Sequence, residues 1–484
     1  MKQEISLTEG KLLPKIIRFV LPLMFTNLLQ MLYSAADMIV VGLSDTAGAI
    51  GAIGTTGAYI NLLLNIFIGF SVGANVVVAR LIGAGDEENC RKAVHTSLVV
   101  SVIAGIVCGG LGLLISRPVL TLMGDEGNIL SLALTYTTIY FCGAPFLAAA
   151  NDLIAIFRAK GDTRTPLFIL AGSGLLNVAL NLLFVLGFGR DVDGVAYATV
   201  ISNAASVVML AIVLAKREDP FCRLRFRELR IDRRSFGEIL HMGLPAGVQG
   251  ALFSLSNMLI SSSIIGINNR LCPGGSAVID GNAAAGNLEG FIYTATNSVY
   301  QAAVTFTSQH FGAGKLKRIK KVAGCCYLVT GCIALAGIAV LLGLENPLLS
   351  LYIHGAAGDP VYELAMQTGR TRMLIMIAPY ILLAFMETGS GVLRGLGKSV
   401  TSTVVSLIGS CVLRIIWIYT IFRLFPTLEV VYLSYPVSWG LTALTHFICW
   451  QISLRRSISE IAALYAHEEE KRRQGLEALS PSEE

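Results

Sequence analysis

The sequence predicts an all-α polytopic membrane protein with twelve transmembrane helices, six in each of two homologous lobes. Three observations lead there. Mean hydropathy is +0.67, with 54% hydrophobic and only 14% charged residues. A soluble chain of 484 residues could not solvate its surface with so few charges. The apolar runs are continuous and ~20 residues long rather than alternating, which excludes a β-barrel. The chain also repeats itself. Gly83-Ala84-Gly85 recurs 229 residues later as Gly312-Ala313-Gly314, Leu21-Pro22 recurs 223 later as Leu244-Pro245, and Arg158 to Gly161 (RAKG) recurs 236 later as Arg394 to Gly397 (RGLG). Six spans per repeat is an even number, so both halves enter from the same side. The repeat is therefore parallel, about an axis along the membrane normal.

Spans are expected near 16–43, 49–79, 93–115, 129–158, 166–188 and 194–215, then 238–266, 279–311, 322–343, 368–394, 400–423 and 430–454. The first is long enough to cross and has no small-residue cleavage pattern, so no cleavable signal peptide is expected. Pro22, Pro145, Pro245 and Pro379 interrupt spans and are expected to kink them. The Gly-Ala-Gly turns follow the second span of each half, where glycine permits a tight reversal. They lack the Walker spacing, and nothing in the chain resembles an ATP-hydrolysing domain. The expected organisation is a first lobe at 1–215, a cytoplasmic linker at 216–235, a second lobe at 236–455 and a polar tail at 456–484, a short helix that fades into disorder. The linker carries eight basic residues. It reads either as a strap between two moving lobes or as topology enforcement with lipid headgroup contact.

With the N-terminus placed inside, the inner segments hold thirty Lys and Arg and the outer segments six: Arg117, Arg190, Arg270, Arg370, Arg372 and Arg423. The positive-inside rule then puts both termini in the cytoplasm of a multi-pass plasma-membrane protein. The net charge of +5 is thus a topology signal and not a nucleic-acid one. The ten cysteines show no metal spacing, and only Cys272 falls in an outer loop, so neither a metal centre nor a disulfide framework is expected.

Ionisable groups inside spans cost ~2.5–3.5 kcal/mol each on insertion scales and need a reason. Asp37 lies ~28–30 Å along the first span from its inner end. Asn177 and Asn181 share a face of the fifth span, and Thr199 lies ~8 Å from the outer end of the sixth. These four can meet in the outer half of the first lobe. One carboxylate with neutral oxygens is either a hard-cation cage for a transient Na⁺ or a protonatable site. The alternative is a structural acid with interhelical packing groups. In the second lobe, Glu289 and Arg414 lie at overlapping depths, and Glu387 lies ~10 Å from the inner end of its span. Glu289 is the expected partner of Arg414, with Glu387 next. The three form either a structural ion network or one that leaves a glutamate for a cationic substrate or a proton. Asp152, six residues before Arg158 much as Glu387 is seven before Arg394, reads as a gate charge or as a solvated acid at the inner face. His95 and His354 sit near loops and are given no role.

The order and spacing of ADMIVVG (36–42), ARLIGAG (79–85), IFRAKGDTRTP (156–166), NLEGF (287–291), SQHFGAG (308–314) and GVLRGLGKS (391–399) resemble the multidrug and toxin extrusion (MATE) family over about 440 residues. The resemblance implies two six-helix lobes in a V shape, exporting amphipathic, often cationic, compounds in exchange for Na⁺ or H⁺. It also implies a first-lobe cation network at Asp37, Asn177, Asn181 and Thr199. Many relatives carry Asp where this chain has Asn181, which removes a carboxylate.

The expected function is therefore secondary active multidrug export by alternating access. No cofactor is expected beyond the coupling ion, and the expected partners are small amphipathic substrates and the bilayer, with no nucleic acid and a monomeric chain. A flippase for lipid-linked sugars is the alternative from the same superfold, although such proteins usually show about fourteen spans and a basic cavity. An intramembrane enzyme is disfavoured by the lack of HExxH, GxSxG or paired intramembrane aspartates. A receptor is disfavoured by the duplication.

Overall fold

The protein is described by a computed structural model covering residues 7–42, 49–122, 127–355 and 358–477. Seven helices build the first lobe: α1 (Leu12–Gly42), α2 (Ala49–Ala84), α3 (Glu87–Leu122), α4 (Gly127–Cys142), α5 (Ala144–Lys160), α6 (Arg164–Leu182) and α7 (Val192–Lys216). The second lobe repeats the pattern with α8 (Arg233–Leu271), α9 (Ala277–Gly312), α10 (Leu316–Gly343), a short α11 (Glu345–Leu349), α12 (Pro360–Arg372) and α13 (Ile381–Gly395). It closes with α14 (Ser399–Ser406), α15 (Leu413–Tyr419), α16 (Ile421–Leu424) and α17 (Leu428–Glu477). Three π-helical stretches, Leu183–Gly187, Met373–Ile377 and Leu407–Val412, follow α6, α12 and α14. Among the described residues eight helical units are long and apolar enough to cross a bilayer alone, and two more are so as bent pairs. The two remaining long helices, α9 and α17, are more polar, and both belong to the second lobe.

The duplication extends to the backbone. Gly85 and Gly314 both adopt left-handed φ values, 74° and 66°, and Gly161 and Gly397 do likewise at 93° and 81°. A side chain at these four turns would be strained. The turns define one end of the bundle, called here the basic face because the linker and the Lys315–Lys321 run also lie there. Two of the four prolines expected to kink spans lie beside a break with a sharp bend. The chain bends 50° between α4 and α5 beside Pro145, and 47° between the α12 unit and α13 beside Pro379. Pro22 and Pro245 sit inside continuous helices. The short helix expected in the tail is continuous with the last span, and the joint helix runs to Glu477. Residues 478–484, where the tail was expected to fade, lie outside the described residues.

The lobes meet along α2 and α8 and along α1 and α9. Small residues permit the approach. A Cβ added to Gly73 would come within 2.5–2.9 Å of Ile239 and Gly243 backbone atoms. Further towards the basic face, a Cβ on Gly83 would strike the Gln309 backbone, and one on Gly312 would strike the Arg80 carbonyl. Position 309 is position 80 advanced by the repeat offset of 229, as 312 is 83. The two contacts are symmetry mates about the pseudo-two-fold axis, the self-complementary arrangement of an isologous interface. Phe19 packs edge-to-face on Phe306 beside them, with centroids 5.5 Å apart. The seam runs from Asn65, whose amide donates to Ser254 Oγ at 3.3 Å, down to the basic face.

The linker is bound to the first lobe rather than stretched freely between the two. The Arg225 N–H donates to His95 Nε2 at 3.0 Å, and the Asp232 N–H donates to Thr96 Oγ1 at 3.0 Å. Arg217 pairs with Asp162 at 2.6 Å, and Lys160 pairs with Asp219. Burial alone would raise the Asp162 carboxyl, but Thr165 donors and Arg217 outweigh it and hold it below the usual carboxylate range. His95 thus has a structural role that its position near a loop concealed.

Candidate functional site

Asp37, Asn177, Asn181 and Thr199 are brought together inside the first lobe. Asn181, fully buried on α6, donates from Nδ2 to Asp37 Oδ1 at 2.5 Å and to Asn177 Oδ1 at 3.3 Å. Asn177 Nδ2 in turn faces Thr199 Oγ1 at 3.5 Å, and that hydroxyl donates to the Val195 carbonyl at 3.0 Å. The result is one polar chain across α1, α6 and α7. Both amide hydrogens of Asn181 are used, whereas its buried Oδ1 has no partner among the described residues. A buried oxygen left unpaired beside a carboxylate suits either a hard cation or the O–H of a protonated Asp37.

This chain lies behind the wall of a cleft, not in it. A cavity of about 820 Å³ opens between the lobes, lined on α1 by Asn27, Gln30, Met31, Ser34, Ala35 and Met38. Asp37, on the other side of α1, faces inward. Across the cleft α9 contributes Phe291, Tyr293 and Asn297, and Arg158 contributes the only charge among the described residues. A second cavity of about 470 Å³ continues into the second lobe, sharing Ile68, Val72, Tyr293, Asn297 and Gln301 with the first. A pocket of about 480 Å³ between α3 and the linker lies at the basic face, away from the cleft.

The second-lobe network differs from expectation. Glu289 pairs with Arg372 at 2.8 Å and not with Arg414. Both partners lie twelve residues in from the same ends of the neighbouring helices α9 and α12, so Arg372 is a span residue and not an outer-loop one. It also donates to Asn282 Oδ1 at 2.6 Å. Arg414 instead donates from Nε to Ser438 Oγ at 2.8 Å, with its guanidinium over the Tyr435 ring at 4.2 Å. Glu387 lines the second cavity. Asp152 is fully buried and accepts from Ser97 Oγ at 3.0 Å, so it is neither solvated nor equivalent to Glu387. The bent α4–α5 span turns it towards α3.

Arg158 and Arg394, counted in the sequence among the basic turns, project into the cleft. Arg394 donates from Nη1 to the Tyr300 hydroxyl at 2.5 Å and from Nη2 to Gln249 Oε1 at 2.8 Å. The internal repeat carried the signal for both. RAKG and RGLG keep the same first residue, which topology alone does not require.

A polytopic bundle of two pseudo-symmetric lobes around a shared cleft, with a buried polar chain behind one wall, defines a membrane transporter. The chain belongs to the MatE family, a family of transporters and not of enzymes, whose model matches residues 22–183 and 245–420. It is 26% identical to a probable multidrug resistance protein, YoeA, of Bacillus subtilis, across 84% of this chain and 87% of that one. Identity to a probable multidrug resistance protein NorM of Thermotoga maritima is 24%, across 81% and 82%. A multidrug resistance MATE family transporter of the MOP superfamily, solved in an outward-facing conformation, shares the fold with a TM-score of 0.84 at 21% identity, covering 94% of this chain and 99% of that one.

Proposed function

We propose that this protein is an ion-coupled exporter of amphipathic small molecules in the plasma membrane, working as a monomer by alternating access between lobes at 1–215 and 236–455. One observation carries the reading: α1 belongs to two sites at once. One side of it presents Asp37 to Asn181, and the other lines the cleft from Asn27 to Met38. An ion at Asp37 and a substrate in the cleft therefore bias the same helix, which is the shared element that coupling needs. Orientation rests on the basic residues. With Arg158, Arg394 and Arg372 turned inward, twenty-eight face the inner side and five the outer, so the termini remain cytoplasmic. The basic face is then the inner one, and the seam holds the cleft closed towards it.

The coupling ion is H⁺. One carboxylate compensates the dehydration of Na⁺ poorly, whereas it suffices to bind and release a proton. Ionised Asp37 accepts from the Asn181 amide. Protonated Asp37 must donate, and a half-turn of that amide offers its unpartnered Oδ1. Asn177 and Thr199 can reorient in sequence, passing the change from α1 to α7. The relatives' names, multidrug resistance proteins, support export as the direction.

The test is efflux of an amphipathic dye from proteoliposomes under separately imposed H⁺ and Na⁺ gradients. Uphill efflux with the pH gradient alone, abolished in Asp37→Asn, is expected. Wild-type uphill rates in Asp37→Asn would make this acid structural. Efflux driven only by Na⁺ would overturn the proton assignment. Asn181→Asp is expected to raise Na⁺ dependence, and no change would place this side chain outside the ion site.

A further inference from the structure

The charges facing the cleft are predominantly positive. Four arginines, Arg158, Arg372, Arg394 and Arg414, line the two connected cavities against two glutamates, Glu289 and Glu387. Arg372 and Glu289 neutralise each other at 2.8 Å. What remains is an excess of two positive charges. Arg394 and Arg414 are 6% and 7% exposed, and neither has a carboxylate within ion-pair distance among the described residues. Each is held by neutral groups: Arg394 by Tyr300 and Gln249, and Arg414 by Ser438 and the Tyr435 and Trp439 rings. A buried guanidinium is costly without a counter-charge, and this cavity holds two. These partners orient the guanidiniums without neutralising them. Arg158 faces the same cleft, and its buried Nε has no partner among the described residues.

We propose that the second-lobe cavity takes an acidic amphiphile, an aromatic or aliphatic body bearing a carboxylate or phosphate, with the acid held by one of its two unpaired guanidiniums, Arg394 or Arg414. Guanidiniums suit such groups, because each offers several donors in one plane. The aromatic wall of Tyr293, Tyr300, Tyr380 and Trp439 suits the apolar body. This refines the export reading by naming the charge of the cargo, and it departs from the cationic compounds that the family resemblance implied. Among the described residues a cationic drug would meet Glu387 as the only unpaired acid of these cavities, against three unpaired arginines.

Fluorescein and rhodamine 123 share a xanthene skeleton and differ in the sign of their charge. Their binding is compared by fluorescence anisotropy on purified full-length protein in a neutral detergent. Fluorescein is expected to bind at least about tenfold tighter than rhodamine 123, the ratio worth about 1.4 kcal/mol. Arg394→Gln or Arg414→Gln, whichever removes the guanidinium that holds the acid, should weaken fluorescein about tenfold without weakening rhodamine 123, while Lys at the same position keeps part of the affinity. Equal or tighter binding of rhodamine 123 by the wild type overturns the proposal, and it needs no variant to fold. Unchanged fluorescein affinity in both glutamine variants overturns it too. Competition by lysophosphatidate or by soluble 2-naphthoate separates a lipid source from a free acid, and displacement by neither overturns the site. Fluorescein that binds but is not moved by any ion gradient removes the export reading and leaves the acid site standing.

Discussion

Gly73→Ala tests whether the α2–α8 seam closes the cleft towards the basic face. The three atoms nearest the added Cβ are the Ile239 carbonyl oxygen and the Gly243 nitrogen and Cα, at 2.5, 2.8 and 2.9 Å. All belong to the α8 backbone, so no side chain can swing aside. Overpacking of this kind costs about 1–3 kcal/mol. The cost falls wholly on the state in which the seam is shut, because an opened seam no longer contains the contact. Alanine also gains about 1 kcal/mol of helix propensity over glycine, but equally in both states, so this cancels. The closed-to-open ratio should therefore fall about 5- to 150-fold. Spin labels at Arg164 and Lys398, exposed on the basic face of either lobe, report the separation by pulsed electron resonance in a background freed of native cysteines. A longer-distance component should grow in Gly73→Ala. Gly172→Ala is the control, since its Cβ would meet nothing within 4 Å. A distance distribution in Gly73→Ala matching the wild type refutes the argument, and so does an equal change in the control.

Two further predictions concern topology and the second lobe. A variant keeping Cys272 alone should react with an impermeant maleimide in intact cells, and labelling that appears only after permeabilisation would invert the assigned orientation. Glu289→Gln should destabilise the protein by about 3–5 kcal/mol, because Arg372, 17% exposed, keeps its charge and loses its counter-ion. A melting series should show the double variant with Arg372→Gln less destabilised than the sum of the singles, and simple additivity would mean the pair is not coupled.

The spans, the duplication and the first-lobe chain could be read in the sequence because they depend on regular geometry. Asn177 and Asn181 are one turn apart, and a straight helix puts them on one face whatever surrounds it. Glu289 and Arg414 were mismatched because Arg372 was counted with the outer segments. Its span was expected to start at 368, but the helix starts at Pro360, which sets Arg372 twelve residues in. Asp152 was misread where regularity fails, since the 50° bend beside Pro145 sets how its span meets α3. The partners of Arg414 were hidden differently. A guanidinium satisfied by two aromatic rings and one hydroxyl leaves no charge pattern in the sequence. The linker hydrogen bonds to His95 and Thr96 are mostly backbone donors, to which side-chain identities give no clue.

The polarity of α9 bears on how the protein is made. By length and composition every span unit of the first lobe, the bent α4–α5 pair included, suits a bilayer by itself, whereas α9 and α17 of the second lobe are more polar. Thr296, Ser298, Thr305, Thr307, Ser308, Gln309 and His310 are all buried and point round the whole of α9, which only protein can cover. Part of that cover belongs to the first lobe: the Thr305 hydroxyl donates to Asn75 Oδ1 at 3.1 Å, and Gln309 Nε2 donates to the Ala159 carbonyl at 2.7 Å. Biogenesis is thereby ordered. The first half can settle in the bilayer span by span as it emerges from the ribosome, and the second half must assemble against it as a template. The two halves are alike in architecture and unequal in autonomy, and synthesis from the N-terminus delivers the self-sufficient one first.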